Sequence, residues 1–203
     1  MNQEYIIYED KDGLKITNNL VFKTVKEACK KWHYSKTCPS NNIFKFGVYE
    51  EGVFIGVVLF SYGANYMIAQ RFEMQQGEVI ELTRIALDLH KNPVSKIVSK
   101  IIKYIKMYHP EVKILISYAD EGQGHSGQIY KAGGWIYDGV RKMSGYDYFY
   151  NDKWTHQKTL WDKAGSNTKD FKEFVKDLPK RKKSNKHRFV YYLNKRYKKK
   201  FNK

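Results

Sequence analysis

The sequence predicts an α/β fold built on a sheet of mixed strand direction, and three observations carry that expectation. Residues 77–119 read as strand, helix and strand, a β-α-β unit whose two strands lie parallel through a right-handed crossover. Residues 44–49 (FKFGVY) and 53–62 (VFIGVVLFSY) flank Glu50-Glu51-Gly52 as a hairpin, which adds antiparallel strands to the same sheet. The run VKILISY (112–118) is almost continuously apolar, as a strand buried on both faces must be.

Taken in order, YIIY (5–8) and LVF (20–22) read as short strands around Lys11-Asp12-Gly13. TVKEACKKWHY (24–34) opens with Thr24 and has Glu27 three residues later, the spacing of a capping box. That places His33 and Tyr34 at a helix C-terminus, before the loop 35–40. GEVIELTRIALD (77–88) is a strand. In the following helix Val94, Ile97, Val98, Ile101, Ile102, Ile105 and Tyr108 form one apolar stripe, with Asn92 as cap, Pro93 in the first turn and His109-Pro110 as the stop. A glycine-rich turn and a short helix near 124–133 lead to the strand WIYDGV (135–140). Residues 146–150 and 154–160 suggest a hairpin around Asn151-Asp152. Thr168–Leu178 reads as a helix with Phe171, Phe174 and Val175 inward, and HRFVYYL (187–193) as a late strand.

Charge is distributed unevenly over the 203 residues. Residues 1–150 hold 19 basic and 16 acidic side chains, whereas 151–203 hold 18 and 5, so most of the formal +16 sits in the last quarter. Clustered cations of this kind suit a polyanion, and the 17 Tyr, 11 Phe and 4 Trp supply rings able to stack on bases. A mean hydropathy of −0.67 and the absence of an 18-residue apolar run exclude a membrane helix. The acidic N-terminus has no secretory pattern, and Cys29 and Cys38 alone form neither a disulfide framework nor a zinc set. The expectation is a soluble intracellular protein.

Candidate chemistry gathers beyond the ends of the two parallel strands, where open α/β sheets bind ligands. Asp120, His125 and Ser126 lie in a stretch with glycines at 122, 124 and 127. They are either proton-transfer groups or, for Asp120 and Ser126, plain helix caps. Arg84, within an apolar strand, needs a partner, and Glu81 and Asp120 are the available acids. His33 is the candidate acid–base partner of Asp120. The pair is also a candidate metal site, for an ion such as iron, without a legible third ligand.

ELTRIALD (81–88), the amphipathic helix after it, and ISYADEGQGHSGQIYKAGGWIYDG (116–139) resemble the Mom family of phage DNA-modification proteins, members of the GNAT acyltransferase superfamily. Trp32-His33-Tyr34-Ser35 and Lys186–Leu193 resemble that family's flanking blocks, so the likeness spans roughly 30–193. It implies a GNAT-like fold in which the central parallel strands splay and acetyl-CoA or another acyl-CoA lies in the opening. Arg84, Ile85, Ala86 and Leu87 would line that cofactor, with the amides of Val94, Ser95 and Lys96 at its pyrophosphate. Leu89–Ser95 stands where the superfamily's usual glycine loop is expected, which leaves His90, Lys91 and Ser95 as substitutes for phosphate contacts. Tyr130 matches the position from which GNAT enzymes protonate a departing thiolate; its other reading is a core aromatic beside Trp135.

The resemblance further implies that the chain alters the exocyclic amine of adenine in DNA by a carbamoylmethylation-like transfer, in the cytoplasm of a bacterial host, protecting phage DNA from restriction. The expected catalytic set is His33, Tyr34, Asp120, Ser126 and Tyr130. Partners are double-stranded DNA and a small-molecule group donor. The expected organisation is a catalytic domain over 1–165 and a basic DNA-binding extension over 166–203. DNA contacts are expected from Lys36, Lys180, Arg181, Lys182, Lys183, Lys186, Arg188, Lys198, Lys199 and Lys200. Tyr62, Tyr66 or Phe72 would stack on an extruded base. The alternatives are an acyltransferase acting on a protein, polyamine or aminoacyl-tRNA amine, and a catalytically silent DNA-binding relative.

Overall fold

The computed structural model describes residues 3–63 and 67–201. It forms two compact units: Met1–Tyr118 with Gly127–Asp138 and Arg188–Lys203, and Ala119–Ser126 with Gly139–His187. The run 166–203, one basic extension by charge, is therefore shared between them. Strands β1 (Tyr5–Glu9), β2 (Leu14–Asn18), β3 (Asn42–Glu50), β4 (Val53–Ser61) and β5 (Val79–Leu87) pair antiparallel in succession. β6 (Ile114–Asp120) adds parallel to β5, and β11 (Lys186–Tyr192) and β7 (Ile136–Arg141) complete an eight-stranded sheet of order β1-β2-β3-β4-β5-β6-β11-β7.

The partner of β1 is 14–18 rather than 20–22. Leu14 and Ile16 are fully buried, while Asn19 turns the chain with φ 69° and Phe22 already belongs to helix α1 (Phe22–Trp32). The capping box is not formed either: Val21 caps α1 with no side-chain bond, and Thr24 lies inside the helix. What fixes the register is burial. Val25, Ala28 and Cys29 pack with Leu20 against Val57, Leu59 and Ala86, so tertiary packing outweighs a cap worth about 1 kcal/mol.

Helix α2 (Met67–Gln70) lies between β4 and β5. Helix α3 (Val94–Tyr108) buries Ile97, Val98, Ile101, Ile102 and Ile105, the stripe expected from 3–4 spacing. Its cap residue is Pro93, whose carbonyl accepts from Lys96 N and Ile97 N, and Asn92 stands one residue outside. Helix α4 is only Gln128–Ala132 and is capped by Gly127, so Ser126 is an exposed residue before the cap. Gly127 is demanded twice over: its φ is +74°, and a Cβ would come 2.2 Å from the Phe189 ring.

The second unit carries β8 (Tyr146–Tyr150), β9 (Lys153–His156) and β10 (Lys180–Lys182) in the order β10-β8-β9. The expected second strand of its hairpin ends at His156, because Gln157–Lys163 turns helical (α5) to bury Leu160 against Tyr148, Phe171 and Val175. In α6 (Thr168–Phe174) Phe171 points inward, whereas Phe174 is exposed. The basic run is ordered. Lys180–Lys182 pair with β8, and Lys195–Phe201 form α7, which seats Phe201 on Phe72. No helix among the described residues is long and apolar enough to cross a membrane.

Candidate active site

In the first unit, docking of α1 on β4 and β5 places His33, the C-cap residue of α1, in a buried position, 7 % exposed. Its Nδ1 accepts the backbone N–H of Ser35 at 3.1 Å and contacts Ser35 Oγ at 2.8 Å. A backbone N–H can only donate, so the proton of the neutral ring resides on Nε2. The Tyr34 ring lies 4.2 Å from the imidazole, and Tyr34 is itself exposed.

A chain of bonds continues from this imidazole. Ser35 Oγ contacts Thr37 Oγ1 at 3.0 Å, and Arg84 donates to Thr37 Oγ1 and to the Thr37 carbonyl, each at 3.3 Å. Arg84 Nη1 also donates to the Thr83 carbonyl at 2.7 Å. The guanidinium thus bonds to a loop and not to Glu81 or Asp120 as expected, because a half-buried cation can be solvated by carbonyl and hydroxyl oxygens as well as by an acid. His33 and Arg84 are brought into one network through Ser35 and Thr37, neither of which sequence reasoning singled out. The Ser-x-Thr spacing after the histidine was the available signal.

The central sheet opens beside this network. β5 pairs with β6 only over Val79–Leu82 against Ile114–Ser117, then continues to Leu87 against β4 alone. Beyond Leu82 the β6-facing edge of Thr83–Leu87, including Arg84, Ile85, Ala86 and Leu87, is not laddered by β6. At the branch point Ser117 Oγ, fully buried, donates to the Leu82 carbonyl at 2.8 Å. The hydroxyl has one proton, so the Tyr130 O–H must donate to Ser117 Oγ, also at 2.8 Å. Burial pushes the Tyr130 phenol up to about 12. Tyr130 packs on Phe189 and Trp135 with its proton committed inside the fold.

The loop before α3 already holds an anion. The buried Glu50 carboxylate accepts from Lys91 N, Asn92 N and Asn92 Nδ2, each at 2.8 Å. Burial works to raise its pKa, but these donors outweigh it and hold the carboxyl below its ordinary value. Lys96 N serves the Pro93 carbonyl. Lys96 Nζ bonds Asp10 at 3.1 Å, which raises the lysine pKa, and Asn92 Oδ1 at 2.7 Å. Glu50 therefore takes the loop amides of Lys91 and Asn92, just before the expected pyrophosphate subsite at Val94, Ser95 and Lys96, whose lysine is engaged with Asp10 and Asn92. The two loop amides and the lysine thus serve internal partners and not the diphosphate of an acyl-CoA. Acetyl-CoA at saturating concentration is accordingly expected to leave the melting temperature unchanged; a concentration-dependent rise in thermal melting would refute this.

The Glu50 carboxylate also makes stability depend on pH. A group whose folded pKa is depressed adds stability that is complete above its unfolded value, 4.5 here, and is lost as pH falls through the folded one. Glu50→Gln is expected to flatten the acid limb of the stability–pH profile below about pH 4.5, as read by urea unfolding at several pH values.

In the second unit, Asp120 ends β6 and caps a 3-10 turn over Glu121–Gln123. Its Oδ1 accepts from Gly122 N at 2.9 Å and from Ser184 Oγ. A Cβ on Gly122 would stand 2.7 Å from Ser184 Oγ, so glycine is what lets strand and turn close on each other. The strap 184–187 is held again by Glu121 N donating to the Asn185 carbonyl at 3.2 Å and by His187 Nε2 with Glu121 Oε1 at 3.2 Å. Ser184 lies 64 residues from Asp120 and had no sequence signal. Among the described residues no three His, Cys, Asp or Glu side chains converge as a metal-ligand set.

The expected DNA contacts divide by what they already touch. Lys36 donates to the Lys31 carbonyl and caps α1. Arg188 is tied to Asp138, through Nε at 2.6 Å and Nη2 to the carbonyl at 3.2 Å, with Arg71 on the same carboxylate. Arg188 is thus a structural clamp, because Asp138 is the acid its strand faces. Lys200 pairs with Glu73 at 2.6 Å on the surface, while Lys180, Arg181, Lys182, Lys198 and Lys199 are exposed and Lys183 and Lys186 half-buried. Phe72 is 4 % exposed, so it belongs to the core and does not stack on a base; Tyr62 is exposed and Tyr66 lies outside the described residues.

The model of the Mom protein family matches residues 16–203. The methylcarbamoylase Mom of Escherichia phage Mu is 28 % identical over 175 residues, 84 % of this chain and 72 % of that protein. Among solved structures, a ribosomal-protein-S5-alanine acetyltransferase from Vibrio fischeri superposes with TM-score 0.53 at 10 % identity, covering 95 % of this chain and 98 % of the other. A GNAT-family acetyltransferase from Bacillus anthracis gives 0.52 at 11 %, covering 93 % and 99 %. At such identities the structural likeness establishes the fold, a GNAT-like one with its parallel strands splayed as the sequence resemblance implied.

Proposed function

Since the chain belongs to the Mom protein family and has the GNAT fold, we propose that it is a transferase that modifies the exocyclic amine of adenine in DNA. The family match over 16–203 carries this reading, and the methylcarbamoylase named for phage Mu supports the type of group transferred. Its setting would be the cytoplasm of an infected bacterium, and its benefit protection of phage DNA from restriction. The adenine amine is the nucleophile. As its bond to a carbon of the transferred group forms, the bond from that carbon to the donor's leaving group breaks, the leaving group departs with the electron pair, and the amine gives up a proton. We assign that proton to the Asp120 carboxylate, whose Oδ1 is held by Gly122 and Ser184, leaving Oδ2 as the oxygen outside those bonds. His33, in the first unit and held as the Nε2–H tautomer, is proposed independently as a residue the transfer needs, to be read by substitution.

The donor is a small molecule able to lie along the open edge of Thr83–Leu87 without an anchored diphosphate. The amine of a stacked adenine is out of reach of an enclosed site, so local opening or flipping of the base precedes transfer. Nucleoside mass spectrometry of DNA from cells expressing the protein tests the reading. A new modified deoxyadenosine is expected, and unmodified DNA with a folded, expressed protein would overturn it. An acyltransferase for another amine would label protein, polyamine or RNA and leave DNA unchanged.

A further inference from the structure

The three-stranded sheet of the second unit has one face covered and one bare. Tyr148 and Thr155, opposite each other in register, are buried toward Leu160, Phe171 and Val175. Alternation sends the next pair, Phe149 opposite Trp154, to the other face. There the two rings meet edge to face at 5.4 Å, 38 % and 41 % exposed, outside the hydrophobic cluster formed by Tyr148, Leu160, Phe171 and Val175. They stand one residue pair from a tight tip, Asn151-Asp152, where both residues have positive φ, as the favoured two-residue hairpin turn requires.

This exposed aromatic pair has a cation stacked against it and an acid, Asp147, on the same face. The Arg181 guanidinium lies 4.5 Å from the centre of the Trp154 ring and reaches Asp147 only at 4.0 Å. Burial, then Lys183, push the pKa of His156 on the same face below its usual value, against an opposing pull from Asp147. Residues 139–187 as a whole carry 13 Lys and Arg against 6 Asp and Glu. A protein-docking face would pair exposed rings with aliphatic neighbours; rings with a cation against them instead match a polyanion that carries flat apolar faces.

We propose that the tip of the β8–β9 hairpin is a nucleic-acid contact in which Phe149 and Trp154 stack on an unpaired base and Arg181 neutralises a flanking phosphate. The inference rests on the DNA-modification reading and names the surface that would hold the opened strand. Stacking on an aromatic side chain favours bases already out of the helix, since no pairing has to be broken first. The hairpin would therefore prefer DNA with an unpaired base over fully paired duplex. Phosphate contacts alone give no such preference.

The full-length protein is titrated against a labelled duplex, the same duplex with one unpaired adenine, and heparin, a polyanion without bases. Wild type is expected to favour the unpaired adenine. F149A/W154A should lose about tenfold in affinity for that probe and keep its heparin affinity. Arg181→Ala should make the salt dependence shallower by about one phosphate contact. Trp154→Leu keeps apolar bulk without a stacking face and should reproduce most of the loss, even if the double variant folds poorly; Trp154→Tyr should restore it.

A wild type with no preference, Trp154→Leu with undiminished preference, or equal losses on heparin and DNA would each overturn the proposal. Modified deoxyadenosine in cellular DNA is measured separately for the same proteins. Preference for the unpaired base without any modification would defeat the enzymatic reading and leave the stacking surface standing. Modification without preference would do the reverse.

Discussion

Asp120→Asn is expected to lower modified deoxyadenosine in cellular DNA at least ~100-fold while leaving the protein folded. The substitution keeps the side-chain oxygen that accepts from Gly122 N and Ser184 Oγ, and asparagine caps a turn about as well as aspartate. What it removes is the charge and the basicity. A residue that only caps would therefore tolerate the change, whereas a proton acceptor would not. His33→Ala should give a loss of similar size. In that case Ser35 N loses its acceptor and the Nε2 proton disappears with the ring.

Cys29→Ala, one turn earlier on α1, is the control. Its thiol is buried against Val57 and Leu59 and pushed up to about 12, first by burial and then by Cys38, so it has no thiolate to offer at neutral pH. Nucleoside mass spectrometry alongside thermal melting reads all three. Wild-type modification in both Asp120→Asn and His33→Ala would eliminate these two residues from the transfer, though not the DNA-modifying function itself.

Gly127→Ala is expected to destabilise the chain by about 3 kcal/mol or more. Two costs combine. A Cβ at this position would be 2.2 Å from two atoms of the Phe189 ring, and overpacking of a closed core costs about 1–3 kcal/mol. The left-handed backbone, φ +74°, adds about 1–2 kcal/mol for any residue bearing a Cβ. Phe189 cannot simply swing away, since it is fully buried and stacks on Tyr130 at 5.0 Å. Urea unfolding measures the loss, and a value below about 1 kcal/mol would show that the turn can rearrange. Gly127→Ala combined with Phe189→Leu should recover part of the steric cost but none of the backbone cost, which separates the two.

Elements set by short-range pattern were legible in the chain itself. The stripe Ile97, Val98, Ile101, Ile102 and Ile105 specifies α3, because 3–4 spacing puts those side chains on one face whatever they later meet. The run before Tyr118 specifies a doubly covered strand, and the hairpin over 42–61 follows from two β-rich segments around Glu51-Gly52. The resemblance of 81–88 and 116–139 supplied the family and the fold. Asp120, at the end of the buried strand, could be placed beyond the sheet edge by counting residues alone.

Tertiary structure decided where local rules competed and where partners are far apart in the chain. Thr24 and Glu27 satisfy a capping box, yet α1 starts at Phe22 because burying Val25, Ala28 and Cys29 against β4 and β5 is worth more than one cap. Lys180–Lys182 read as a solvated basic run, but pairing with β8 satisfies its backbone and leaves the lysines exposed. Glu50 on Asn92, Ser184 on Asp120 and Arg84 on Thr37 are contacts across roughly 40–65 residues. No periodicity encodes them. A hydrogen bond needs only two atoms about 3 Å apart, and that distance is fixed by how whole strands and loops pack and not by the residues on either side. The sequence thus determined which chemical groups this protein carries and on which elements; the packing of those elements determined which of the groups remain available to a substrate and which are spent inside the fold.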